Sequence, residues 1–512
     1  MKLLHIGWAH PRNVEFIVRA CHEFNIEYHH TNDSNPPDQS YDIIWAPSNW
    51  IDPDRYPTSK ILFGPHFWVF PNADHPFFTQ SRSDHASRCI YICLCDWVKT
   101  LYEEFVPKTH IPFVPFPFGL SIDSQPKQVE YDCLIYYKSR HPSYLDFVTN
   151  FVKEKGLQYK VYEYGSYELH DYLSNLRKAR FVIWIGRHES QGFALEECLA
   201  ADTPIYVYDV TTMKEECVNG YYPYQHHSEQ MLATSAPYWN DRCGIKVHSH
   251  EEFQSRFSEF MDKLSTYRPL QYVECTLTDP LCFERILNRL YRIDDLVTYR
   301  GTHIEMVQRN GNITCYMDGE LQSCESDEAL YHESLVRPAM SAVSTPMRVL
   351  IVGGGEVATL REVLKYPTVQ KVDMIDWDKE VVHLFQTKYP QWAKGAWEDP
   401  RVSIQYDDIM DVIKEERGQS YDVIIIDLFD PTHESIEQMK EVVCALHKWL
   451  VQDGAMVFYA GMDPSLLPSL SWFKQTLPLY EHETMSNYHV HIPSFNGDSL
   501  FILFHNLIDK IV

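Results

Sequence analysis

The chain is poor in positive charge. Across 512 residues, 45 Lys and Arg face 71 Asp and Glu, a formal charge of −26. That balance argues against a nucleic acid as partner and suits small polycations, as well as plain solubility. Long apolar runs are also missing: none reaches the roughly 18 residues of a membrane span. The opening MKLLHIGWAHPRNVEF breaks at His10 to Asn13 and makes a poor signal peptide. A soluble, cytoplasmic protein is therefore expected. The 13 cysteines are scattered, Cys93-Leu94-Cys95 lacks zinc spacing, and no CxxC pairs with another. They are expected to be reduced and mostly buried, without a metal site. Internal repeats, low-complexity tracts and long linkers are absent. What is present is core material, 45% hydrophobic and 14% aromatic residues, in a chain long enough for about three or four domains.

The segment Met347–Leu364 reads MRVLIVGGGEVATLREVL. The apolar run Val349 to Val352 meets Gly353, Gly354 and Gly355, and a helical pattern starts at Thr359. This predicts a strand, a tight turn and a helix, the part of a Rossmann-type unit that receives a nucleoside. A second strand, Val369 to Ile375, ends in Asp376-Trp377-Asp378, about 20 residues on, where an acid reaches ribose hydroxyls. A third run ends at Asp407-Asp408. A fourth, Tyr421 to Ile426, ends in Asp427-Leu428-Phe429-Asp430-Pro431. Successive strand ends thus carry glycines or carboxylates, and open α/β sheets bind ligands at that edge. Upstream lie Met317-Asp318-Gly319-Glu320-Leu321-Gln322 and Asp327-Glu328-Ala329-Leu330-Tyr331-His332-Glu333.

From about Tyr291 to Pro464 these motifs, in this order, resemble the polyamine synthase family of aminopropyltransferases, with its LDGxxQ and DExxYHE signatures ahead of the glycine turn. Generic methyltransferases share the fold but lack that pair. The resemblance implies transfer of an aminopropyl group from decarboxylated S-adenosylmethionine, as co-substrate, to a polyamine. The leaving group is already activated, so no metal is implied. It makes Asp427 the general base, Asp430 the holder of the amine, and Tyr331 part of the catalytic set. Gln322 and His332 line the nucleoside site, Asp376 takes the ribose, and Asp408 the adenine. Glu356 faces the sulfonium side chain, where an acid attracts the aminopropyl ammonium and repels the carboxylate of ordinary S-adenosylmethionine. A homodimer is also implied.

The departures bear on substrate choice. GGGDGG is replaced by GGGEVA, so Val357 and Ala358 are expected to hold the backbone further from a ligand. Phe458-Tyr459-Ala460-Gly461 stands where the family often has Gln-Gly, and an aromatic in the amine tunnel would change which polyamine fits. DLFDP is nearer the thermospermine-type DLADP than the spermidine-type DSSDP.

The N-terminal half shows another pattern. Lys2 to Ile6, Tyr41 to Trp45, Cys133 to Tyr137, Tyr159 to Tyr162 and Phe181 to Ile185 read as strands, and Val14 to Phe24 and Tyr144 to Lys155 as helices. Alternation of this kind predicts parallel α/β sheets, here in two lobes joined through Ile111 to Gly119. The segment Ile185 to Ala200, IGRHESQGFALEECLA, runs from a strand through a Gly loop into a helix near Phe193. It resembles the ESFG…E motif of retaining GT-B glycosyltransferases, with Glu189 and Glu197 at E-x7-E spacing. The resemblance implies a nucleotide-sugar donor, with Glu189 near the sugar and Glu197 on the ribose, and an unknown acceptor. Lys138 or Arg140 could neutralise diphosphate. His66 is open between a catalytic and a structural role. Phe67 to Phe70 and Phe113 to Phe118 are open between packing and sugar stacking.

Leu264 to Thr278, with Pro269, breaks the periodicity and is the expected boundary. Asp279 to Asp294 reads as a helix packing between the halves. Alternation from Leu296 predicts β hairpins, with a turn at Asn310-Gly311. The expected architecture is α/β. Two Rossmann-like lobes (1–120 and 121–268, GT-B-like) are followed by a small β-hairpin domain (279–345). A Rossmann methyltransferase-like domain (346–512) follows, closed by antiparallel strands. The expected function is a bifunctional transferase. The alternatives are an S-adenosylmethionine-dependent methyltransferase, or one half acting as a non-catalytic binding module.

Overall fold

The computed structural model describes residues 1–33, 40–66, 75–105, 110–122, 126–225, 231–414, 420–428, 431–432, 435–462 and 483–506. It divides into two compact units, Met1–Tyr291 and Arg292–Val512. Among the described residues, no helix is long and apolar enough to cross a membrane.

The first unit holds two parallel sheets. One contains β1 (Lys2–Ile6), β2 (Glu27–Thr31), β3 (Ile43–Ala46), β4 (Lys60–Phe63), β5 (Cys89–Ile92) and β6 (Phe113–Val114), in the order β2-β1-β3-β4-β5-β6. β3 and β5 are short, unbroken apolar runs buried along their length, as strands covered on both faces must be. The other sheet contains β7 (Tyr131–Tyr137), β8 (Tyr159–Glu163), β9 (Ala179–Ile185), β10 (Ile205–Tyr208) and β11 (Gly244–Val247), in the order β11-β10-β9-β7-β8. The helix Pro11–Glu23 buries Phe16, Ile17, Ala20 and Cys21, one face of a 3.6-residue period, and starts with a proline whose missing N–H costs nothing there.

The expected break at Leu264 to Thr278 contains a helix, Pro269–Thr276. Pro269 sits in its first turn, where proline starts a helix instead of stopping one. The helix after it, Asp279–Tyr291, packs within the first unit. Phe283, Ile286 and Leu290 join Phe16, Trp45 and Ile90 in one core, and Asp279 receives the Arg19 guanidinium at 2.6 and 3.1 Å. Its role is to close the first sheet's core.

The second unit opens with an antiparallel meander of β12 (Arg292–Val297), β13 (His303–Arg309), β14 (Asn312–Met317) and β15 (Glu320–Cys324). Asn310 (φ +51°) and Gly311 (φ +82°) make the two-residue turn between β13 and β14, which needs left-handed backbone at both positions. A seven-stranded sheet follows, made of β16 (Arg348–Gly353), β17 (Lys371–Ile375), β18 (Val402–Gln405), β19 (Tyr421–Asp427), β20 (Leu450–Tyr459), β21 (Glu483–Ile492) and β22 (Gly497–Asn506). Its order is β18-β17-β16-β19-β20-β22-β21. The first five are parallel, and β21 and β22 form the antiparallel closure. Two apolar cores flank the sheet, one around Leu350, Ile424 and Phe458, the other around Ile351, Leu335 and Leu360.

Candidate functional sites

At the carboxyl edge of the second unit's sheet, β16 and β19 are neighbours, with Gly353 opposite Asp427. Gly353 has φ +82°, and a Cβ there would lie 2.0 Å from the Asp427 carbonyl oxygen. Only glycine fits both constraints. Gly354 N–H donates to that carbonyl at 2.9 Å, fixing the turn against the acid. The side chains of Val357 and Ala358 point inward. Val357 packs with Leu335, Ile351 and Leu360, and Ala358 with Val381 and Phe385. The expectation that they hold the backbone off a ligand is therefore corrected. Their bulk fills the core, and the cost lies in Val357's φ of +65°, which strains a branched residue by about 1–2 kcal/mol.

Both carboxylate oxygens of Asp427 accept hydrogen bonds. Tyr331 Oη donates to Oδ1 at 3.1 Å and Thr359 Oγ1 to Oδ2 at 2.5 Å. Thr359 escaped the sequence reading. Its place in the first turn after the glycines was the available signal. Tyr331 and His332 lie on the helix Glu328–Ala342, and the Tyr331 ring stands edge-on to Tyr459 at 5.5 Å. Of Phe458 and Tyr459, it is thus Tyr459 that packs on Tyr331, whereas Phe458 is fully buried beside Phe504 in the opposite core.

His332 Nδ1 donates to the Glu328 carbonyl (2.6 Å) and Oε2 (3.1 Å), while Nε2 lies 3.6 Å from Glu356 Oε2. Burial pushes Glu356 up to about 7, with Asp427 adding to the shift and His332 and Ser323 opposing it. Burial also opposes a charge on His332. The Glu328 bond and the negative charges of Asp427 and Glu356 outweigh it, and the His332 pKa is raised.

Asp376, after β17, is buried and accepts from Asp378 N–H at 2.8 Å. A Cβ on Gly355 would come within 3.0 Å of its Oδ2. Burial pushes Asp376 up to about 6, partly offset by the Asp378 N–H and reinforced by the Asp378 and Asp427 charges. Asp378 itself caps the helix Lys379–Thr387 and accepts from Thr298. Asp408 caps the helix Ile409–Val412 through Met410 N–H at 2.9 Å. Gln322 is exposed on β15, next to Ser323. Asp430 lies outside the described residues.

In the first unit, β9 leads through Gly192 (φ +88°) into the helix Phe193–Ala200. Glu189 Oε1 lies 2.6 Å from Lys138 Nζ, which sits 4.2 Å over the Tyr164 ring. Glu197 is buried and ion-paired with Arg12 of the helix Pro11–Glu23. Burial raises its pKa and Arg12 opposes. Beside this pair is a cavity of about 260 Å³ lined by Arg12, Glu15, Arg19, Arg177 and Glu197. Arg140 is buried and bonded to the Gly186 and Tyr208 carbonyls and to Glu215. Of the two cations considered for a diphosphate, it is the structural strut, and Lys138 is the one beside Glu189. Glu196, between the two expected acids, is fully buried against Gln191 at 3.1 Å. His66 stands 5.2 Å from His75, and burial lowers both. Phe113 and Phe118 are core residues, while residues 67–70 lie outside the described set.

A Rossmann sheet with a glycine turn and acids at three adjacent strand ends defines a nucleoside-binding class. Comparison with known proteins narrows it. The model of the spermine/spermidine synthase domain matches residues 328–506. Polyamine aminopropyltransferase 1 of Hyperthermus butylicus is 43% identical over 227 residues, covering 42% of this chain and 77% of that protein. The Pyrobaculum calidifontis polyamine aminopropyltransferase is 39% identical over 197 residues, covering 36% and 66%. A spermidine synthase crystallised with the transition-state analogue AdoDATO matches at 25% identity and a TM-score of 0.38, covering 43% of this chain and 76% of that one. Through its second unit, the chain belongs to the polyamine aminopropyltransferase family.

Proposed function

We propose that the second unit moves an aminopropyl group from decarboxylated S-adenosylmethionine to a polyamine. The observation that carries this reading is the gathering of Glu356, Asp376 and Asp427 at one sheet edge, with Tyr331 and Thr359 fixing the last. Both substrates are cations, and the acceptor amine has a free pKa of about 10.4, so it arrives protonated. Asp427 takes the proton. The nitrogen lone pair then forms a C–N bond to the aminopropyl carbon beside sulfur. The C–S bond breaks, its electron pair stays on sulfur, and neutral methylthioadenosine leaves. Holding two cations in line and removing one proton are tasks for carboxylates. Asp376 takes the ribose, Gln322 and Asp408 flank the nucleoside, and Asp430 holds the amine.

The methyltransferase alternative meets Glu356, which repels the carboxylate of ordinary S-adenosylmethionine. The test is methylthioadenosine release from decarboxylated S-adenosylmethionine across a panel of amines, for the unmodified chain and Asp427→Asn. Amine-dependent release that vanishes in the variant supports the reading. Nucleoside binding without release points to a methyltransferase or a binding module. The family's homodimer is checked by mass in solution on the same sample.

For the first unit we propose a nucleotide-sugar transferase, supported by two parallel sheets and by the Lys138–Glu189 and Arg12–Glu197 pairs around one helix start. Lys138 faces the diphosphate, Glu189 the sugar and Glu197 the ribose. Nucleoside diphosphate released from a panel of nucleotide sugars, and lost in Glu189→Gln, tests it. No release from any donor would remove it.

A further inference from the structure

Glu356 ends a chain of buried polar groups within the second unit. Arg361 grips Glu328 with two nitrogens, at 2.8 and 2.9 Å. Glu328 accepts from His332 Nδ1, and His332 Nε2 faces Glu356. Ser323, near Glu356, holds its pKa down. Ser323 Oγ accepts from Trp392 Nε1 at 2.8 Å, and the Trp392 carbonyl accepts from Arg361. Its members come from β15, from the helices Glu328–Ala342 and Ala358–Leu364, from the glycine turn after β16, and from the loop after Lys379–Thr387.

The chain from Arg361 through Glu328 to His332 decides where one proton sits. His332 Nδ1 must carry hydrogen, because its close neighbours there are both acceptors. Nε2 and Glu356 then hold one proton between them, as imidazolium with carboxylate or imidazole with carboxylic acid. Glu328, kept anionic and oriented by Arg361, stabilises the imidazolium and so leaves the charge on Glu356. Ser323 also holds the Glu356 pKa down. The other titratable or charged groups near the pair are Asp427, which favours protonation, Cys315, whose thiol burial holds neutral, and Glu362 on the far side of Arg361.

We propose that Arg361, Glu328 and Ser323 are positioning residues that, through His332, present Glu356 as a carboxylate to the ammonium end of the aminopropyl donor. This rests on the function proposed for the second unit. It also gives glutamate a reason to stand where the family commonly has aspartate: the longer side chain reaches His332.

Titration calorimetry of the full chain between pH 6 and 8.5 tests it with two probes. One is decarboxylated S-adenosylmethionine. The other is methylthioadenosine, which has the same nucleoside and no ammonium. The ratio of their affinities isolates the ammonium contact. In Glu328→Gln that ratio should fall about tenfold at pH 7, the equivalent of one pKa unit, and recover as the pH rises. Methylthioadenosine affinity should hold. Ser323→Ala removes one hydroxyl in place and should move the ratio the same way by about threefold, which keeps the test alive if Glu328→Gln does not fold. An unchanged ratio in Ser323→Ala, or equal weakening of both probes, would overturn the positioning role and leave the proposed function standing. Failure of the unmodified chain to bind either probe would instead overturn the proposed function, and this inference with it.

Discussion

Tyr331 Oη donates to Asp427 Oδ1 at 3.1 Å, across 96 positions of sequence. With Thr359 on the other oxygen, the carboxylate has a donor on each oxygen. If Asp427 is the base proposed above, it needs no reorganisation when it accepts a proton, and its geometry is set before substrate arrives.

Removing the proposed base while keeping its shape separates the two contributions. Asp427→Asn should lower the rate of methylthioadenosine release about 10³-fold, within the range for a positioned general base. Tyr331→Phe leaves the carboxylate and removes one donor, so about tenfold is expected, mostly in kcat. Steady-state kinetics with one amine distinguishes them. A Tyr331→Phe loss as large as that of Asp427→Asn would mean the hydroxyl itself touches the reacting atoms.

Asp376 holds its charge against burial. Its folded pKa is about 6, above the unfolded value, so between those two pH values the folded state binds the extra proton and stability falls as pH rises. Above pH 6 the cost is fully present. Asp376→Asn keeps an oxygen for the Asp378 N–H and removes the buried charge. It should raise stability by about 1 kcal/mol at pH 8, leave it unchanged at pH 4, and weaken nucleoside binding. Thermal melts at the two pH values and a nucleoside titration read both effects. A loss of stability at pH 8 would show that the carboxylate has a partner stronger than the Asp378 N–H.

Much of this edge was legible beforehand because glycine and acid positions are set by local rules. Gly353 needs left-handed backbone, and an acid after each parallel strand sits at the ligand edge whatever the rest does. Side-chain direction was not legible. Val357 and Ala358 look like obstructions in sequence, but the strained turn at Val357 rotates them into the core. Phe458 and Tyr459 alternate faces, so only Tyr459 approaches Tyr331. The Arg361–Glu328–His332 chain spans helices 33 residues apart, and pairing at that distance has no sequence period. In the first unit, Arg140 and Lys138 are interchangeable by spacing. Their partners separate them: Arg140 is tied to two backbone carbonyls and Glu215, and Lys138 pairs with Glu189.

The glycine turn should tolerate no side chain. Gly353→Ala places a Cβ 2.0 Å from the Asp427 carbonyl at φ +82°, so both the clash and the backbone strain must be relieved together. A loss of about 3 kcal/mol or more is expected. Gly395→Ala, also at positive φ (+81°) but with open space around it, should cost only the backbone strain of about 1 kcal/mol. Chemical denaturation of the two variants compares them directly. Equal losses would mean the close approach to Asp427 is not what selects glycine.

In the first unit, Glu197 is a buried carboxylate whose cation comes from a helix 185 positions earlier. Arg12→Ala would strip that cation and leave Glu197 uncompensated. Burial already raises the Glu197 pKa, and loss of Arg12 raises it further, so the folded state holds a proton over a wider pH range than the unfolded one. The sign follows: the variant's penalty is small near pH 4, where Glu197 is protonated in both states, and grows as pH rises. About 2 kcal/mol is expected at pH 8, less than for a fully buried pair because Arg12 is partly exposed. Glu197→Gln in the same background should restore most of it, since the neutral amide needs no counter-charge. Melting of the single and double variants at pH 4 and 8 forms the cycle. A penalty independent of pH, or one not relieved by Glu197→Gln, would assign Arg12's contribution to its packing on Phe193 instead of to the charge pair.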